Sequence, residues 1–172
     1  MSQISKPEER APGGQSSLAP PYMLLGPPMP RCYLLTLASS SSLDQQSNNV
    51  SLFNIVEQLN LPRGVEPPPG ALLPIEIHAY FLLDPAELNQ RFEIRFVLVA
   101  SSGLETSTDA FSHKSATPRF RTRTMGTPIP PIADNYQLRV DTRAVGSEDW
   151  SRDLLSWPLV VALAEARPAI TH

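Results

Sequence analysis

Three arginines at alternate positions, Arg119, Arg121 and Arg123, form the one charge pattern that stands above the background of this 172-residue chain. On an extended strand, side chains two residues apart share a face at a spacing of about 7 Å. The three guanidinium groups would then make a ladder able to grip phosphates or carboxylates, with Phe120 pointing the other way, into a core. Arg139 and Arg143 share a parity further along the chain and would widen the patch if the two strands are neighbours. The rival reading is a solvated edge strand that uses its charge against aggregation. Only two of the 14 basic residues are lysines, so the charge sits on planar, bidentate groups that suit contacts with carboxylates. That points to a protein partner rather than nucleic acid. The formal net charge of −3 supplies no electrostatic case for nucleic acid or an acidic membrane face.

Other chemistry is sparse. His78 and Glu76, two apart on one strand face, would suit a metal ion, but the same alternation is the ordinary pattern of two solvated side chains on an outer face. His113 and His172 have no ligand-spaced companion. Cys32, the single cysteine, excludes an internal disulfide and a thiolate cage. It opens the apolar run Cys32-Tyr33-Leu34-Leu35 and reads as a small buried hydrophobe. Glu148-Asp149, and Asp141 with Asp153, fall in segments that read as loop or exposed strand, where nothing apolar raises a carboxyl pKa. There is no Gly-x-Ser-x-Gly elbow, phosphate-binding glycine loop or dinucleotide fingerprint. The expectation is a protein without catalytic residues, metal or cofactor.

These residues need a scaffold, and composition narrows it. Nineteen prolines scattered through the chain exclude a helix bundle and favour short strands joined by irregular loops. No apolar run approaches the ~18 residues of a membrane span. Residues 1–30 carry seven prolines with Gly13, Gly14, Ser16 and Ser17, which reads as a disordered tail. Within it, Tyr22-Met23-Leu24-Leu25 is a candidate docking motif. The amino terminus has no charged start, apolar stretch and cleavage site of a secretory signal, and with the lone cysteine this predicts a cytoplasmic protein.

From Arg31 the apolar period becomes two. Strands are expected at Arg31 to Ala38, Val50 to Val56, Leu72 to Leu83, Arg91 to Ser101, Leu104 to Phe111, Pro118 to Met125, Tyr136 to Thr142 and Leu155 to Leu163. Ser47-Asn48-Asn49 supplies a hairpin turn. Leu61-Pro62 and Pro67-Pro68-Pro69-Gly70 read as loop. Asp84-Pro85-Ala86-Glu87 has the spacing of a capping box and predicts one helical turn. In the strand from Arg91, Phe92, Ile94, Phe96 and Leu98 face the core and Arg95 faces out. In that from Leu72, Leu73, Ile75, Ile77, Ala79 and Phe81 face in and His78 faces out. Leu104 to Phe111 and Pro118 to Met125 suit an edge pair.

About eight short strands without amphipathic helices predict an all-β, two-sheet antiparallel sandwich, immunoglobulin-like or C2-like, with a small closed barrel as the alternative. The sandwich occupies residues 31–165, and residues 166–172 form a C-terminal tail. Tyr136, following Pro130-Pro131, matches the sandwich tyrosine whose hydroxyl bonds back to the preceding loop. Trp150 and Trp157 plug one end of the core.

The stretch Leu43-Asp44-Gln45-Gln46-Ser47-Asn48-Asn49-Val50-Ser51-Leu52-Phe53-Asn54-Ile55-Val56-Glu57 resembles a family of uncharacterised bacterial domains. The resemblance extends through Arg91 to Ala100, Asn135 to Val140 and Trp157-Pro158-Leu159-Val160. It implies an all-β fold of unknown function and carries over no catalytic or binding residue. A cytoplasmic interaction or assembly module is the leading expectation, with Arg119, Arg121, Arg123, Arg139 and Arg143 as contact residues. A small-molecule or carbohydrate binder using end loops near Tyr80, Trp150 and Trp157 is the runner-up, and a hydrolase with an unusual site is third.

Overall fold

The computed structural model describes residues 29–64 and 71–164. Residues 1–28 of the proposed N-terminal tail, the C-terminal tail, the Tyr22 to Leu25 motif, the Pro67 to Gly70 loop and His172 lie outside the described residues, whereas Met29 packs against the core and Pro30 is buried, so the tail reading fails at its last two residues.

Strand follows strand almost without interruption. They are β1 (Arg31–Asp44), β2 (Asn49–Ile55), β3 (Gln58–Pro62), β4 (Leu72–Leu82), β5 (Arg91–Ala100), β6 (Glu105–Ser107), β7 (Phe111–Lys114), β8 (Arg119–Pro128), β9 (Asp134–Ala144) and β10 (Ser151–Ala164). One 3₁₀ turn, Pro85–Glu87, sits where the capping-box spacing predicts it, and the Glu87 carboxylate accepts the Asp84 amide at 2.7 Å. Two sheets result. The first runs β2-β1-β4-β8, and the second runs β3-β10-β9-β5-β6 with β7 also beside β5.

The inner faces form one apolar core. Leu35 and Leu37 of β1, Ile75, Ile77, Ala79 and Phe81 of β4, Phe92, Ile94, Phe96 and Leu98 of β5, Tyr136, Leu138 and Val140 of β9, and Leu159 and Val161 of β10 are all buried in it. The two-residue periods of β4 and β5 therefore name their inner faces correctly. Tyr136 donates its hydroxyl to the Ile132 carbonyl at 3.0 Å, as the corner reading requires. Trp157 packs against the core and donates its indole N–H to the Val56 carbonyl at 2.9 Å.

Several expectations are corrected. β3 stands where Leu61-Pro62 reads as loop. Its proline is the last residue of an edge strand, where a missing amide costs no ladder bond, and β3 runs parallel to β10 in an otherwise antiparallel structure. The stretch Leu104 to Phe111 is two strands, because Phe96 and Thr108 exchange hydrogen bonds and end β6 there. It does not pair with β8: β6 and β7 pair with β5, whereas β8 pairs with β4 in the other sheet. What joins these segments is a contact between layers, in which Phe120 of β8, stacked on its cross-strand neighbour Phe81, also stacks on the ring of His113 of β7.

The first sheet curls over itself. β1 pairs with β4 only as far as Ala38 opposite Glu76 and continues through the serine run Ser39 to Ser42 into a hairpin with β2. Asn48, at φ 58°, makes the turn, and Asp44 fixes it by accepting from the Gln46 amide and the Ser47 hydroxyl. Ser41 reaches Glu76, while Asn48 reaches Arg121, whose strand position faces Tyr80 four residues beyond Glu76. The hairpin thus runs back over the face of β4 and β8 that points away from the apolar core.

Candidate functional site

That fold-back decides what the arginine strand does. His78 of β4 lies directly opposite Arg123 of β8, with Thr36 of β1 on its other side. Glu76 and His78 are each only 2% exposed, and Thr36 and Ala38 beside them are buried. The expectation of two solvated side chains is overturned. Period two correctly puts them on the non-core face, but the curled sheet and its hairpin cover that face.

Glu76 is the hub. Its Oε2 accepts from Ser41 Oγ at 2.6 Å and Arg123 Nε at 3.0 Å, and lies 2.9 Å from His78 Nε2; its Oε1 accepts from Arg123 Nη2 at 2.6 Å. The bonds from Arg123, with those from Ser41 and His78, outweigh burial and hold the Glu76 carboxyl down to about 2. A serine, a histidine and a carboxylate meet here, yet in an order that does not make a nucleophile. Activation needs the imidazole between hydroxyl and carboxylate, whereas here the carboxylate stands in the middle and takes the serine proton's hydrogen bond itself. A metal ion at Glu76 and His78 would have to displace Arg123. Among the described residues no three His, Cys, Asp or Glu side chains gather as a ligand set.

Arg121 is engaged as well, its Nη1 and Nη2 donating to the Asn48 backbone carbonyl and side-chain Oδ1 at 2.9 and 2.6 Å. Arg119 alone of the three is exposed with no ion-pair partner among the described residues. The ladder geometry is present, but two of its rungs are engaged within the protein, Arg121 with the hairpin turn at Asn48 and Arg123 with Glu76 of the neighbouring β4.

Arg139 and Arg143 do not widen this patch, since β9 belongs to the second sheet and β8 to the first. They are part of a separate network on the outer face of β5 and β9. Asp141, fully buried, accepts from Arg95 Nη2 at 3.0 Å and from Arg139 Nε at 2.9 Å. Arg139 also grips Glu105 with two bonds, which keep that carboxyl below its ordinary value, and Arg143 donates to Glu93 at 2.6 Å. Trp150 closes the network: the guanidinium carbons of Arg95 and Arg143 lie 4.2 and 4.3 Å from its ring centroid. Arg95 faces out as expected but is not free, and Asp141 is not the exposed carboxylate its segment suggests. Arg139 lies two residues from Asp141 on the same strand, but the Arg95–Asp141 bond joins strands 46 residues apart and leaves no local signal.

The third candidate region is a cleft of about 490 Å³ between the start of β1 and the start of β10, lined by Arg31, Cys32, Thr142, Arg152, Asp153 and Leu154 among others. A bulge in β10 between Arg152 and Ser156 turns Asp153 toward the other sheet, where its carboxylate accepts the Cys32 amide at 2.7 Å. Burial, reinforced by the negative charge of Asp153, pushes the Cys32 thiol up to about 12, which favours the protonated thiol at neutral pH.

Comparison of the chain with protein-family models, curated proteins and solved structures finds no match. Among the described residues no helix is long and apolar enough to cross a membrane.

Proposed function

We propose that this chain is a non-enzymatic cytoplasmic interaction or assembly module, built as an antiparallel sandwich of immunoglobulin-like or C2-like kind and related to the uncharacterised bacterial all-β domains it resembles. One observation carries the reading. Glu76, His78, Arg123, Arg139 and Asp141 are engaged in internal bonds, whereas Leu43, Phe53 and Ile55 of the β1–β2 hairpin stand about half exposed. Arg121, Arg123, Arg139 and Arg143 each hold a group of the same chain, which weakens the case for nucleic acid and leaves Arg119 as the one of the five without a side-chain partner among the described residues. The test is affinity capture from the native host followed by reconstitution from purified components. A complex reconstituted with another protein, or with a second copy of the chain, supports the module; a chain that stays alone throughout overturns it.

A second reading, a small-molecule binder, is favoured by the cleft beside Arg31 and Arg152. Its aromatic version loses ground, since Trp150 lies against two guanidinium groups and Trp157 is tied to Val56. An anionic metabolite fits the two arginines better than a sugar does. A thermal-shift panel separates the readings: stabilisation by a carboxylate or phosphate ligand, lost on Arg152→Ala, would favour the cleft.

A further inference from the structure

The two sheets end in four kinds of edge, and three are protected. β8 carries Arg119, Arg121 and Arg123. β3 is five residues long and ends in Pro62. The far edge of the second sheet consists of the short β6, with Glu105, and β7, with Lys114. Charge, proline and shortness are the devices by which natural sheets prevent edge-to-edge pairing.

β2 has none of them. It is seven residues long, it pairs on one side with β1, and no described strand pairs with its other side. Residues 45–56 contain no charged side chain, in a chain where 18% of residues are charged. Phe53 and Ile55 are 49% and 48% exposed on it. Asn54, at φ 51°, turns the end of the strand, which leaves Asn49 to Phe53 as the straight run.

We infer that the β2 edge is a self-association site, occupied by the β2 strand of a second copy of this chain in antiparallel pairing about Ser51. This rests on the module reading and names its partner. A closed two-fold contact must be complementary to itself, and an uncharged run meets that condition because no like charges face each other across the axis. The same two-fold joins the first sheets of the copies into one continuous sheet and satisfies the open backbone groups of both edges. Each Phe53 then covers the other copy's strand near Asn49 and is withdrawn from water. By contrast, an edge selected for a charged peptide would carry compensating charge, as β8 does.

The experiment is light scattering on the full chain after size-exclusion chromatography, with three variants of exposed positions. Wild type is expected to be a dimer at about 100 µM, a concentration well above the micromolar Kd of a modest interface. Phe53→Lys places two like charges beside the axis and should weaken the dimer at least about tenfold with an unchanged melting temperature. Arg119→Ala, on the other edge, should leave it intact. Ser51→Cys puts a thiol on the axis, and mild oxidation of the native protein should link two chains, whereas wild type, whose one thiol is the buried Cys32, should not link. A monomeric wild type, or a dimer that ignores Phe53→Lys and fails to cross-link through Ser51→Cys, overturns the inference. If the monomer still forms a reconstituted complex with another protein, only the second-copy assignment falls; if it forms none, the module reading falls with it.

Discussion

Arg123 grips the Glu76 carboxylate with both ends of its guanidinium group, Nη2 on one oxygen at 2.6 Å and Nε on the other at 3.0 Å. The arginine side chain is 52% exposed and the carboxylate 3%, so the pair joins a solvated cation to a buried anion. Such a contact is worth more than a surface ion pair, because losing the cation leaves a carboxylate that is only poorly hydrated.

Arg123→Ala should therefore lower the midpoint of urea unfolding by clearly more than the scatter of repeat measurements, though by less than loss of a fully buried pair, because the arginine side of the contact is open to water. Arg119→Ala, on the same strand face, should stay within about 0.5 kcal/mol. Equal effects would mean that the Arg123 contact is not held in solution. The double variant with Glu76→Gln should cost less than the sum of the singles, since the stranded anion disappears.

The same carboxylate sets an acid limit. Its ordinary value is 4.5 and the folded protein lowers it to about 2, so its contribution is fully present above 4.5 and is lost as pH falls through that window toward 2. Asp44, Asp134 and Glu105 are also held below their ordinary values and act in the same direction. Glu76→Gln isolates one of the four. Its deficit against wild type should be largest at pH 7 and should shrink between pH 4.5 and 2. A deficit independent of pH would assign the loss to packing instead of charge.

Thr127 is fully buried and its hydroxyl finds no hydrogen-bond partner among the described residues. It sits opposite Leu73, next to Gly126, which takes φ 84° where an added Cβ would come within 2.8 Å of Leu72. An unsatisfied buried hydroxyl costs about 1 to 3 kcal/mol, and valine keeps the shape without it. Thr127→Val should raise the melting temperature by about 2 to 4 °C for each kcal/mol recovered in a domain of this size. A fall would show that the hydroxyl is bonded in solution.

How much of this was legible differs from strand to strand. The core face of β5 could be read from Phe92, Ile94, Phe96 and Leu98, and the tyrosine corner from Tyr136 after Pro130-Pro131, because both are local patterns. Glu76 and His78 show the limit. Alternation says on which face a side chain lies and nothing of what covers that face, and the cover here is a hairpin bent at four small serines. The arginine pattern was visible, but its purpose depends on Glu76 and Asn48, 47 and 73 residues away. β3 was hidden by its terminal proline, which an edge strand tolerates.

The register of β5 gives the sharpest test of the whole arrangement. Phe96 is 1% exposed in the inter-sheet core, opposite Val140 of β9, and its ring lies 6.2 Å from that of Phe111. Phe96→Ala should cost about 3 to 5 kcal/mol through lost burial and the cavity left behind. Arg95, one residue earlier, points to the opposite face, where a solvated arginine would cost next to nothing on truncation. Here it is one of two cations on the fully buried Asp141 and one of two on Trp150. Arg95→Ala should cost about 1 to 2 kcal/mol, the remaining Arg139 limiting the damage. Arg95→Ala in an Arg139→Ala background should cost more than it does alone, because Asp141 then loses its last cation. Chemical denaturation of wild type and the four variants checks the order. Were Arg95→Ala more damaging than Phe96→Ala, the register would be displaced by one residue, exchanging the two faces of β5. A negligible cost for Arg95→Ala would instead leave the strand as drawn and remove the Asp141 network from the outer face.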